Sequence, residues 1–330
     1  MKTHSPRKSN EIRIKNIPDI PSEIFDAAKR GKLVLFIGAG VSRIIGCPSW
    51  YKLATLYLKD LRKKKSISFH EYKHLESLDA RKLLSICMKI YEEGKNIVPA
   101  DLNSFLKGKD KLIEEYRIYE HLYNFNVIYV TTNYDDYLAK EARKTHLEPP
   151  KLIANSISED VIRKEKQNIF SSKKEMLTVN LDKGNVLYLH GRIQNQDRIM
   201  TIVDYMSHYE KGSEPSVLLE EIFVNHTVLF IGYGLEEYEI LEFMISKSHI
   251  VEKELKHFML YPIFQEEFDI LRRLEKYYLS FGVKLIPYPI DNDGYEHLSK
   301  VIENWSKQIG PVSQPKEFLE KIRLIDEVLE

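Results

Sequence analysis

The apolar run Leu33-Val34-Leu35-Phe36-Ile37 passes directly into Gly38-Ala39-Gly40-Val41-Ser42. No other feature restricts the fold of this chain as strongly. Five consecutive apolar residues have no polar face, so the run reads as a strand buried on both sides, within a parallel sheet covered by helices. Ser22 and Gly31 read as the N-cap and C-cap of a helix ahead of it. Glycines after such a strand let the backbone approach a ligand closely, and N–H groups at the start of the next helix attract anions, so the turn is a candidate phosphate cradle. The second glycine is followed by Val41-Ser42 rather than x-x-G, which departs from the dehydrogenase fingerprint. Taken alone, the turn is equally well read as a tight strand–helix connection.

Three more short apolar runs end in polar or glycine signals. The run 127–130 leads into Thr131-Thr132-Asn133-Tyr134-Asp135, the run 186–189 into His190-Gly191, and the run 228–231 into Gly232-Tyr233-Gly234. Further strands are expected at 199–203, 258–261 and 283–286, and a weaker one at 152–153. Helices are expected at 49–62, 136–144, 215–224, 236–246, 265–281 and 295–309. Strands alternating with helices predict an α/β fold: a doubly wound, mostly parallel, Rossmann-like sheet. From about 66 to 123 the pattern is helical only (80–93, 100–107, 111–123), which reads as an inserted small helical subdomain. The expected organisation is a basic N-terminal arm over 1–20, a ligand-binding domain over 21–310, and a C-terminal amphipathic helix within 311–330. Pro311 and Pro315 set off that last helix, and Phe318, Leu319, Ile322, Leu324, Ile325, Val328 and Leu329 form its broad apolar face, a candidate assembly surface.

Composition narrows the function classes. Lys and Arg total 49 and Asp and Glu total 49, so a generally cationic nucleic-acid binder is not expected. Cys47 and Cys87 are the two cysteines, too few for a tetracysteine zinc site or a disulfide framework, and they fit a reducing cytoplasm. His70 and His74 are spaced i, i+4, but they fall in the helical insert and read as a surface pair, so no metal is expected. No apolar stretch approaches the ~20 residues that cross a bilayer, so no membrane role is expected.

In an open parallel sheet the carboxyl ends of the strands line the ligand crevice. The four turns can therefore converge although they lie far apart in sequence. Each also has an ordinary reading: a histidine after a strand as a satisfied turn residue, Asn133 or Asp135 as a helix cap, the glycines as tight turns. Asp204-Tyr205 reads mainly as a turn.

The set resembles the sirtuin family, which carries a GAG-x-S turn, an asparagine–aspartate motif after one strand and a histidine–glycine after another. The resemblance runs from about 33 to 234. Where deacylating sirtuins carry Gly-Ile-Pro-Asp-Phe-Arg, this chain has Gly46-Cys47-Pro48-Ser49-Trp50, and their zinc cysteines are missing. The chain is most similar to the divergent bacterial branch that hydrolyses NAD in anti-phage defence. The resemblance implies an NAD+ glycohydrolase with NAD as substrate and no metal. The implied catalytic residues are Asn133, His190 and Asp135. Gly38, Ala39, Gly40, Val41, Ser42, Thr132, Gly232 and Gly234 would bind the dinucleotide. It implies a cytoplasmic protein that assembles with copies of itself and answers to a DNA-translocating ATPase, an Argonaute-like protein or a phage protein. An NAD-dependent protein deacylase and a nucleotide sensor without turnover are the competing readings, and linear and cyclic ADP-ribose products both remain open.

Overall fold

The computed structural model describes residues 13–94, 97–145, 169–170, 181–195, 198–235, 240–244 and 257–313. The chain folds in the order α1 (Ser22–Lys29), β1 (Leu33–Ile37), α2 (Ala39–Ile44), α3 (Trp50–Lys63), α4 (Phe69–Glu76), α5 (Ala80–Glu93), α6 (Leu102–Phe105), α7 (Asp110–Tyr116), α8 (Ile118–Tyr123), β2 (Ile128–Thr131) and α9 (Tyr137–Thr145). There follow β3 (Ile169–Phe170), β4 (Val186–Tyr188), α10 (Ile202–His208), α11 (Glu214–Asn225), β5 (Thr227–Ile231), β6 (His257–Ile263), α12 (Phe268–Leu279), β7 (Val283–Pro289) and α13 (His297–Ser313). Residues 240–244 are also helical.

The strands form one sheet in the order β3-β4-β2-β1-β5-β6-β7, with every neighbouring pair parallel. This is the expected doubly wound α/β architecture. The chain steps from β1 to β2 on one side and later returns to β5 on the other, so the topological switch lies beside β1. Alternation along β1 shows why both faces need cover. Leu33, Leu35 and Ile37 enter a core with Ile24, Leu122, Leu138 and Trp305, from α1, α8, α9 and α13. Val34 and Phe36 enter the opposite core with Tyr205, Leu219, Phe223 and Leu271, from α10, α11 and α12. On the outer side of the sheet, β7 pairs among the described residues only with β6, and it carries Pro287 and Pro289.

The helical block has a third core of its own. Leu53, Tyr57, Leu58 and Leu61 of α3 pack there with Leu83, Leu84 and Cys87 of α5 and Leu102 of α6. The block's core thus begins with α3, before the expected position 66. Meanwhile Ile118, Tyr119 and Leu122 of α8 belong to the sheet's core. Side-chain caps fix the starts of its helices: Ser49 accepts from Lys52 N–H, Asp79 from Lys82 N–H, and Ser68 forms a capping box with Glu71.

Several local expectations change. Ser22 is the first residue of α1, and Pro21 and Arg30 take the cap positions. The expected strand at 199–203 is instead the start of α10. Thr201 caps that helix and Asp204 closes the capping box, so local hydrogen bonding outweighs the apolar run. The expected helix 111–123 breaks at Arg117, whose φ of 44° is left-handed, and 100–107 shortens to α6. Helix α4 carries no buried side chain, so no apolar periodicity announced it. Helix α13 continues through Pro311 to Ser313 instead of stopping at the proline. The strand at 152–153 and the helix beyond 315 lie outside the described residues.

Phe36 is fully buried at the centre of the sheet, with ring centroids 5.3 Å from Phe230 and 4.9 Å from Tyr233. Phe36→Ala is expected to lower unfolding free energy by about 3–5 kcal/mol, read from the denaturant midpoint.

Candidate active site

The turn after β1 uses its glycines on the fold. Gly38 N–H donates to the Ile231 carbonyl at 2.9 Å, and Gly40 N–H to the Gly232 carbonyl at 2.8 Å. A Cβ on Gly40 would stand 2.7 Å from that same oxygen. Gly232 has φ +59°, and a Cβ there would meet Val41 N at 2.6 Å. These two glycines are required for a backbone-to-backbone contact between the ends of β1 and β5. Two amides expected to face a pyrophosphate are therefore engaged within the protein. Val41 is core. Gly234 is exposed, and its carbonyl accepts from the Tyr278 hydroxyl at 3.4 Å.

This contact sets the first turn of α2 beside the end of β2, and Ser42 becomes a hub. Its hydroxyl donates to Asp135 Oδ2 at 2.6 Å, accepts from Asn133 Nδ2 at 2.9 Å, and lies 2.8 Å from the Tyr119 hydroxyl. Asn133 Nδ2 also reaches the Gly38 carbonyl at 3.1 Å. The Asn133 loop is fixed beneath: Thr131 Oγ1 donates to the Ile37 carbonyl and accepts from Asn133 N–H. Asp135 receives further bonds from the Tyr119 hydroxyl at 3.3 Å and Tyr137 N–H at 3.3 Å. Burial lifts its carboxyl above the usual carboxylate range, and the Ser42, Tyr137 and Tyr119 bonds oppose that shift. Asn133, Ser42 and Asp135 thus do meet, as the strand-end argument requires.

Ala39, Ser42, Thr132, Asn133 and Asp135 line one cavity together with Cys47, Trp50, Leu106 and Tyr134. Its volume is about 30 Å³. Asp135 and Leu106 also face a cleft of about 840 Å³, which Tyr119, Tyr137 and Lys140 border. Burial pushes the Cys47 thiol up to about 12, with Asp135 adding to the rise, and the thiol donates to the Leu106 carbonyl. Cys47 is therefore a neutral wall residue and not a thiolate nucleophile.

His190 does not line that cavity. It is completely buried, with Nε2 2.8 Å from the Tyr209 hydroxyl and Nδ1 3.3 Å from the Tyr205 hydroxyl. Burial first, then the charges of His208 and Arg81, hold its pKa well below the usual histidine value; a bond with the Thr132 backbone opposes this. His190 is thus neutral at neutral pH, the form that can accept a proton. Tyr134 contacts both His190 and Trp50, with ring centroids 6.4 and 5.6 Å away.

Sequence reasoning missed the residues that hold this arrangement. Asp136 takes Nε of Arg192 at 2.9 Å, Nε2 of Gln194 at 3.0 Å and Nη1 of Arg143 at 3.4 Å. Tyr119 sits on α8, where an aromatic residue reads as core, and Tyr205 and Tyr209 lie on and at the end of α10, which the sequence did not announce as a helix. Asp204 and Tyr205, read from the sequence mainly as a turn, lie instead within α10, where the Asp204 carboxylate closes the capping box of Thr201. Among the described residues no group of three or more His, Cys, Asp or Glu side chains is placed to hold a metal ion, and no helix is long and apolar enough to cross a membrane.

With this geometry in hand, the comparison with known families is direct. A model of the SIR2-like domain matches residues 127–281. That stretch of the chain is similar to a SIR2-like domain. The match contains Asn133, Asp135, His190, Gly232 and Gly234; the Gly38–Ser42 turn lies ahead of it. The chain is also 26% identical over 292 residues to Defense-associated sirtuin 2 of Bacillus subtilis, across 86% of this chain and 26% of that protein. It spans about a quarter of that curated relative's length. Both findings agree with the sirtuin-like resemblance of the strand-end motifs.

Two measurements probe this centre. Ser42→Ala leaves Asn133 and Asp135 without their shared partner, and is expected to cost about 1–3 kcal/mol of unfolding free energy. The second concerns pH. Unfolded His190 binds a proton near pH ~6.5, while the folded group does so only at lower pH. As pH falls below ~6.5 the unfolded state binds more protons, so stability falls. His190→Gln is expected to flatten the stability profile between about pH 6.5 and 5, by up to ~1.4 kcal/mol per pH unit. His257 and His226, whose pKa values are also lowered by burial, maintain a residual slope.

Proposed function

We propose that this chain is an NAD+ hydrolase that cleaves the nicotinamide–ribose bond and depletes NAD in phage-infected cells. The observation that carries the reading is the Ser42–Asn133–Asp135 network at the switch point of the sheet, inside a chain part of which is similar to a SIR2-like domain. A neutral His190 at the end of the adjacent strand supports it. The defence role rests on the name of the relative, Defense-associated sirtuin 2.

Breaking the glycosidic bond passes through an oxocarbenium-like transition state, so the protein must orient the ribose and a water and favour developing positive charge. Asn133 would turn its amide from the Gly38 carbonyl and Ser42 toward the ribose or the water, since an amide both donates and accepts. His190 would accept the proton that the attacking water releases. Asp135 would take the carboxamide of the nicotinamide or hold the Asn133 loop, and the charge of its carboxylate suits a cationic transition state. Ala39, Ser42 and Thr132, which line the cavity, would contact the dinucleotide. No step calls for a metal ion. A cytoplasmic location follows from NAD as substrate, and control by self-association or by a partner such as a phage protein belongs to the same proposal.

The small cavity favours one second reading, a nucleotide sensor without turnover. Incubation with NAD and analysis of the products separates the two. Nicotinamide and ADP-ribose, linear or cyclic, are expected from the wild type. Asn133→Ala and His190→Ala are expected to lower nicotinamide release at least about 100-fold while retaining cooperative melting. Binding of NAD with no nicotinamide released would leave the sensor. Extensive chelation is expected to leave turnover unchanged.

A further inference from the structure

We propose that Tyr134 and Trp50 form a gate across the NAD site, and that one substrate reaches both Asn133 and His190 only when Tyr134 turns out from between them. The inference rests on the NAD reading above and adds how access to that site is controlled.

The cavity beside Asn133 has a volume of about 30 Å³. That is one or two waters, against the roughly 300–1,000 Å³ of an organic ligand site. Two aromatic side chains fill the space. Tyr134 is the middle residue of Asn133-Tyr134-Asp135, and its ring meets Trp50 edge-on, with centroids 5.6 Å apart at 73°. The same ring also contacts His190, with centroids 6.4 Å apart at 41°. Tyr134 thus partitions what a sirtuin-like reaction needs as one space: Asn133 lines the cavity on one side, and His190 lies buried on the other.

A latch holds the partition. The Tyr134 hydroxyl donates to the Ile199 carbonyl. Ile199 N–H donates to the His190 carbonyl at 3.1 Å, so the latch belongs to the segment that carries His190. The Asn133 loop need not move for the gate to open, because Thr131 and the Gly38 carbonyl fix it separately.

Both halves of the gate pack in the helical block. Trp50 is the first residue of α3, and Tyr134 packs with Leu53 and Met200 in the core of the helical block. Ser85 of α5 accepts from Ile202 N–H at 2.9 Å and ties the block to the start of α10. A small shift of the block against the sheet therefore moves Trp50 and the latch together. Control of this site can act on the block without touching Asn133, Asp135 or His190.

The test uses the full chain in a Trp305→Phe background. Trp50 and Trp305 are the two tryptophans, and Trp305 is buried in α13, so Trp50 becomes the only indole reporter. ADP-ribose is titrated as a probe that cannot turn over, with Trp50 emission as the signal, and nicotinamide release from NAD is measured in parallel. Tyr134→Phe removes the latch and keeps the ring; Trp50→Leu, read by calorimetry, removes the other half. Each is expected to bind ADP-ribose about ten-fold more tightly and to raise kcat/KM, because a larger fraction of molecules is open. In the background chain, bound ADP-ribose is expected to shift Trp50 emission toward that of an exposed indole. Unchanged or weaker affinity in both variants, with NAD still turned over, would overturn the gate and leave the NAD reading standing. If no folded form binds ADP-ribose or NAD, the NAD reading and the gate fail together.

Discussion

The backbone contact between the turn after β1 and the turn after β5 carries the rest of this site. Gly40 and Gly232 approach to a distance that no Cβ permits, and their N–H to C=O bond joins the two strand ends at the switch point. The start of α2 follows from it. Ser42 then lies close enough to β2 to bond Asn133 and Asp135 together. A substitution at either glycine would act through this chain of positions, and its effect on Asn133 would come without any loss of a ligand contact.

Much of the sheet was legible because buried parallel strands announce themselves. Leu33–Ile37 is apolar at every position, and the structure reproduces those bounds. The polar endings of the strands could be read too, since a parallel sheet brings its carboxyl ends to one rim. The arrangement between those endings could not. Asn133 and His190 are two strands' ends in one rim, yet which side chain separates them depends on the rotamer of Tyr134 and the placement of Trp50, and both are tertiary. Tyr119 was hidden for a related reason: on a helix an aromatic residue reads as core, and here it is core and a hydroxyl partner at once, as is Tyr209 at the end of α10. The segment 199–203 misled because apolar residues and a helix cap share it, and the cap prevailed.

Burial acts in opposite senses on the two titratable residues of the site. It keeps His190 neutral by disfavouring the imidazolium, and it makes a charged Asp135 costly unless Ser42, Tyr119 and Tyr137 supply hydrogen bonds. The donors around Asp135 are therefore what allow a carboxylate to persist beside a developing cation. Tyr205 and Tyr209 set the orientation of the imidazole from the other face of the sheet, so the two halves of the chemistry have separate supports.

The prolines of β7 bear on how this molecule meets its neighbours. Ile290 N–H donates inward to the Ile263 carbonyl, so positions of the opposite parity turn their nitrogens away from β6. Pro287 and Pro289 occupy two of those positions and offer no donor. A foreign strand laid along this rim would find gaps in its ladder where amides should be. Main-chain pairing is thereby discouraged on this side of the sheet. Association there must rely on side chains, which can be selective for a partner in a way that a bare row of amides is not.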